Sequence, residues 1–141
     1  KPWSHGANSA YSNEGLQRIG GFDPKTVSGG DAKVNFDMQK IGFKHEYDPQ
    51  AKVDHQHRTS LEGLEKQFLK YGGGDFSLLI KYGQARFTVQ EMTELFWNST
   101  LTPVIRSGED AELFRLRPGY DQLKASSWLS GYAKAELASK Q

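Results

Sequence analysis

VDHQHRTSLEGLEKQFLKYGGG, residues 53–74, joins two different periodicities, and the fold class turns on how they are read. In its first part His55 and His57 stand two apart, the spacing that puts neighbours on one face of a strand. In its second part Leu61, Leu64 and Phe68 form an apolar stripe at helical spacing. Thr59-Ser60-Leu61-Glu62 has the form of a capping box, in which hydroxyl and carboxylate satisfy each other's end amides. Gly72–Gly74 then read as the end of that helix, since glycine is a poor helix former. No Lys-Ser/Thr follows them, so they do not form a phosphate cradle.

Upstream, FKHEYDPQAKVDHQH suits two short strands, Lys44–Tyr47 and Ala51–Gln56, joined by a turn at Asp48-Pro49. GANSAYS suits another short strand, and NEGLQRIGGF a short helix carrying Leu16 and Ile19 and stopped by Gly20. FDPKTVSGG is a loop. Val34, Met38 and Ile41 predict a helix over Ala32–Ile41, with Asp31 as N-cap and Gly42 as a left-handed C-terminal cap.

Downstream, Thr88 and Glu91 form a second capping box before Val89, Met92, Leu95 and Phe96, in a segment that Pro103 ends. RSGEDAELFRLRPG is charged and turn-rich, and a last helix runs from Asp121 to Ala138, interrupted by Gly131. The expected class is therefore α/β, mixed α+β within this chain, with short strands followed by a mainly helical second half.

The 141 residues fit one domain, which buries roughly two thirds of the surface of its unfolded chain. The longest apolar run, Leu78–Ile80, is far short of a bilayer span. With no cysteine there is no disulfide framework, thiolate zinc site or cysteine nucleophile. Eighteen basic residues against 17 acidic give a net charge of +1, which argues against a nucleic-acid partner. KPWSHGANSAYS is neither a signal nor a transit peptide, and it lacks a starting Met, so residue 1 reads as a cut inside a longer protein.

Several residues admit both a chemical and a plain reading. His55 and His57 on one strand face would hold a divalent ion or an anion between them, with Cα atoms about 6.5–7 Å apart; a solvated strand end is the plain reading. Asp31, after two glycines, can be closely approached by a substrate and suits a general base; it equally suits an N-cap. Trp3, His5 and Asn8 offer a stacking face and polar ligands on a short strand, or ordinary structural groups.

Taken in order, HGANSAYSNEGLQRIGGFDP, SGGDAKVNFDMQKIGFK and YDPQAKVDHQHRTSLEGLEKQFLKYGGG resemble the acceptor-side half of a family 2 glycosyltransferase with the GT-A fold, over about residues 4–76. The first block matches at Gly6, Asn8, Ala10, Leu16 and Gly20–Asp23, and the last at Gly42, Phe43, Tyr47–Pro49, Ala51, Val53 and His55. Asp31 falls on the second acid of the family's acidic pair, whose first member is Gly30 here; Lys33 stands where a further acid is usual.

The resemblance implies that Asp31 is the base that deprotonates the acceptor hydroxyl in an inverting transfer. It implies that His55, with His57 beside it, helps hold a Mn or Mg ion, and that Arg58 contacts the diphosphate. Trp3, His5 and Asn8 would line the substrate side. Residues 1–75 would be the acceptor-side part of the transferase domain and 76–141 a helical extension. The donor half, with its Asp-x-Asp, has no counterpart here, so the chain alone should not catalyse transfer. The expected partners are a nucleotide-sugar donor and a glycan or lipid-linked acceptor, in the cytoplasm or at the inner face of the membrane with peripheral association. The competing reading is a non-enzymatic α+β module that docks a protein or a membrane surface through its helical half; Lys66, Lys70, Lys81 and Arg86 supply the basic charge, or simply a solvated helix face.

Overall fold

Ser60, one residue after the threonine that the capping-box reading favours, opens the helix that organises the molecule. Its hydroxyl accepts the Gly63 N–H at 3.1 Å, while Glu62 pairs with Lys66 one turn on. The computed structural model describes residues 3–56, 58–101 and 111–141, and side chains at 3–56, 58–99 and 118–141. This helix is the third in chain order: α1 spans Asn13–Ile19, α2 Gly30–Lys40, α3 Leu61–Tyr82, α4 Val89–Leu101 and α5 Ala111–Ala138.

The expected end of α3 at Gly72–Gly74 is corrected: the helix passes through all three and stops at Gly83, whose φ of 70° is left-handed and whose N–H reaches the Leu79 carbonyl. The glycines are a seam instead. A Cβ on Gly72 would lie 1.9 Å from the Trp128 carbonyl oxygen, and one on Gly131 of α5 would lie 1.9 Å from that of Leu69. Losing side chains at the crossing lets the two backbones touch. Gly131 is thus no interruption of α5, which begins well before Asp121 and includes Pro118. Residue 75, where the sequence divides the chain, lies inside α3.

Thr88 and Glu91 form the reciprocal box that the sequence predicts: the Glu91 N–H donates to the Thr88 hydroxyl at 3.1 Å, and the Thr88 N–H to the Glu91 carboxylate at 2.7 Å. Met92 then joins Leu64, Phe68, Ala125 and a fully buried Trp128 in the core between α3, α4 and α5. Pro103 lies outside the described residues, and α4 is described to Leu101.

A second core forms where α2 lies on the later turns of α3, with Ala32, Phe36 and Leu78 packed against Trp3 and Tyr82. Tyr82 locks this junction by donating its hydroxyl to Asp37 at 2.9 Å, and Asp37 also pairs with Lys33 at 3.0 Å. Burial, then the hydrogen bond to Asp37 and its charge, push the Tyr82 phenol well above its ordinary value of 10.0. A raised folded-state value means that the stabilising contribution is complete below pH 10.0 and is lost as pH climbs beyond it. We expect the wild type to lose stability above that pH more steeply than Tyr82→Phe, as read from denaturant midpoints between neutral and strongly alkaline pH.

The α/β expectation is corrected. Every regular element among the described residues is helical, and no strand is present. Residues 6–8 form a 3-10 turn, Gly6–Asn8, rather than a strand. Residues 44–47 and 51–56 have no regular structure and belong to no ladder, and 51–56 are exposed throughout. Alternating side chains specify only one face; a strand also needs a neighbour whose N–H and C=O groups match its own. The described residues supply none.

Candidate functional site

Gly29, with φ of 79°, stands at the N-cap position of α2, and this displaces Asp31 into the first turn. Asp31 is therefore not the N-cap. Its Oδ1 accepts the Ala32 N–H at 2.8 Å, and its Oδ2 accepts the Gly6 N–H at 3.0 Å. A Cβ on Gly6 would sit 3.4 Å from that of Asp31, which places the turn directly against the carboxylate.

The same turn gathers most of the predicted residues. The Trp3 and His5 rings are 6.0 Å apart, and the His5 and His55 rings meet edge-on at 6.1 Å. Asn8 donates its amide to the Ala51 carbonyl at 2.8 Å, tying the turn to the irregular segment that carries His55. Trp3 is half-buried against the α2–α3 core, whereas His5, Asn8 and His55 are exposed. Trp3, His5, Asn8, Asp31 and His55 are thus brought together. Arg58 is not: it lies over the first turn of α3, in a different groove. His57 lies outside the described residues.

Beside this turn opens a cleft of about 770 Å³ between residues 3–12, α2 and the segment 43–51. Trp3, Tyr11, Phe43 and Tyr47 give it aromatic walls, and Asn8 and Asn35 give it amides. Asn35 is a residue that the sequence reading missed. It is buried, donates to the Asp31 carbonyl at 2.8 Å and the Tyr11 hydroxyl at 3.2 Å, and accepts from Ser4 at 3.3 Å. The available signal was an amide one helical turn from Asp31, beside the buried Val34 and Phe36, where an apolar residue would be expected.

The donor set does not fit the divalent ion. Among the described residues no group of three or more His, Asp or Glu side chains converges on one point. The strand that was to aim His55 and His57 to one face is also absent. Two exposed imidazoles, His5 and His55, are a poor set for Mg or Mn, which favour several oxygen ligands. No helix among the described residues is long and apolar enough to cross a membrane. The chain finds no match among protein-family models, curated proteins or solved structures.

Proposed function

We propose that this chain is the acceptor-side part of an inverting family 2 glycosyltransferase that moves a sugar from a nucleotide-diphosphate donor to a hydroxyl of a glycan or lipid-linked acceptor, in the cytoplasm or at the inner face of the membrane. One observation carries the reading. Asp31 and His55, far apart in sequence, both meet the His5–Asn8 turn, one through the Gly6 N–H and one through the His5 ring, and that turn, though neither of these two residues, lines an aromatic and amide-walled cleft.

Asp31 has the chemistry of the base. Each carboxylate oxygen accepts one backbone N–H, which fixes the group and leaves lone pairs for a substrate proton. It would take the acceptor's hydroxyl proton as that oxygen attacks the anomeric carbon, while the nucleotide diphosphate leaves with the electrons of the broken C–O bond. Aromatic walls and amides suit a sugar ring, which offers apolar faces for stacking and hydroxyls for hydrogen bonds. The donor-binding part would come from elsewhere in the parent polypeptide. Tyr47 and Val53, exposed on irregular backbone without a ladder, offer surface for it.

The test is transfer by the parent polypeptide from a panel of nucleotide sugars. Asp31→Asn should lower turnover about a hundredfold or more while sparing donor binding. Near-normal turnover would remove Asp31 from the reaction. This chain by itself should neither transfer sugar nor bind UDP in a calorimetric titration.

A further inference from the structure

A second groove, of about 370 Å³, runs between the Val27-Ser28 loop and the first turns of α3. Arg58, Lys66 and Lys70 line it together with Ser28, Gln67 and Tyr71. Its charge does not follow from overall composition, since the whole chain is only +1. Lys66 pairs with Glu62, but Arg58 and Lys70 have no acidic partner among the described residues. Lys66 and Lys70 stand one turn apart on α3, like charges at a spacing that mildly disfavours the helix.

The neutral groups point to the same ligand. Ser28 Oγ accepts from the buried Arg86 guanidinium at 3.1 Å, and the Tyr71 hydroxyl accepts from the Gln67 amide at 2.6 Å. Each hydroxyl has an acceptor position filled and keeps its own hydrogen to give. Arg86 also donates to the Tyr71 carbonyl at 3.2 Å and stacks over its ring, so the Ser28 and Tyr71 sides of the groove are held in place by one buried cation. The groove is rich in donors and poor in acceptors.

We propose that this groove binds a phosphate group, either on a soluble phosphate ester or on a lipid headgroup. The resemblance gives Arg58 a diphosphate contact, but the assignment rests on this groove's own side chains. It uses none of the side chains around Asp31, and it would stand if Asp31 proved inert.

The test uses the intact chain. Inorganic phosphate titrated into the labelled protein should shift the amide resonances of Ser28, Arg58 and Gly63–Tyr71, and should leave those of α4 in place. In Arg58→Gln/Lys70→Gln the affinity should fall about tenfold or more, as expected for loss of hydrogen bonds to a charged group. Both residues are exposed, so the thermal melt should be unchanged. Leu137→Ala, an exposed apolar change on α5 outside the groove, should bind as the wild type does. Vesicles of phosphatidylcholine with and without phosphatidic acid separate the sources. Co-sedimentation with the acidic vesicles that is lost in the double variant assigns the lipid, and phosphate binding without co-sedimentation assigns a soluble ester. Failure to bind either probe would overturn the proposal, as would binding undiminished in the double variant.

Discussion

Gly72→Ala should abolish the cooperative thermal transition, whereas Gly73→Ala, one position along, should raise its midpoint. The added methyl at Gly72 would meet the Trp128 carbonyl oxygen at 1.9 Å and the Tyr132 nitrogen at 2.7 Å, and both belong to backbone that no rotamer change can move. Relief requires α3 and α5 to separate, which opens the core around Trp128 and costs at least about 3 kcal/mol. Gly131→Ala meets the Leu69 carbonyl from the other side and should fail in the same way. At Gly73 the nearest atom is the Gly131 carbonyl oxygen at 3.6 Å, an ordinary contact. There the substitution only removes a poor helix former, a gain of about 1 kcal/mol. Circular-dichroism melts of the three variants decide it. A Gly72→Ala protein that melts like the wild type would show that the α3–α5 crossing is not as close as described.

That contrast also marks what the sequence could and could not convey. Some caps were legible because they are local: Thr88 and Glu91 close the box that their spacing predicts, and Gly20 and Gly42 take the left-handed conformations expected of helix ends, whereas Ser60 and Gly29 stand as caps where Thr59 and Asp31 were expected. The glycines at 72–74 were not legible, because whether glycine ends a helix or admits a neighbour depends on what packs there: Trp128 and Gly131 of α5, more than 50 residues later, at Gly72 and Gly73, and the Ser28 backbone at Gly74. The strands failed for a related reason. Alternation in 44–47 and 51–56 is present, but pairing depends on a partner strand that the described residues lack. Asp31, His5, Asn8, Trp3 and His55 do converge, yet through a 3-10 turn and loop contacts rather than across a sheet, and the buried amide of Asn35 that joins Asp31 to Tyr11 went unread.

Arg86→Met should be the most damaging single change among the charged residues. Asp75 is completely buried in the middle of α3, where its Oδ1 accepts the Arg86 Nε–H at 2.7 Å and its Oδ2 accepts the Trp128 indole N–H at 2.8 Å. Removing the guanidinium leaves a buried carboxylate with only neutral donors and should cost about 3–5 kcal/mol. Asp75→Asn should cost less. The amide oxygen can still accept from Trp128, and Arg86 keeps the Ser28 hydroxyl, the Tyr71 carbonyl and the Tyr71 ring. Combining the two should cost clearly less than the sum, with a coupling of about 2 kcal/mol, because the penalty of Arg86→Met lies in stranding a charge that Asp75→Asn has already removed. Urea denaturation of the wild type, both single variants and the double variant measures this cycle. Additive losses would mean that Asp75 and Arg86 act as independent polar groups. A strong coupling would identify them as one unit that fixes α3, α5 and the Ser28 loop together, and with them the shape of the basic groove.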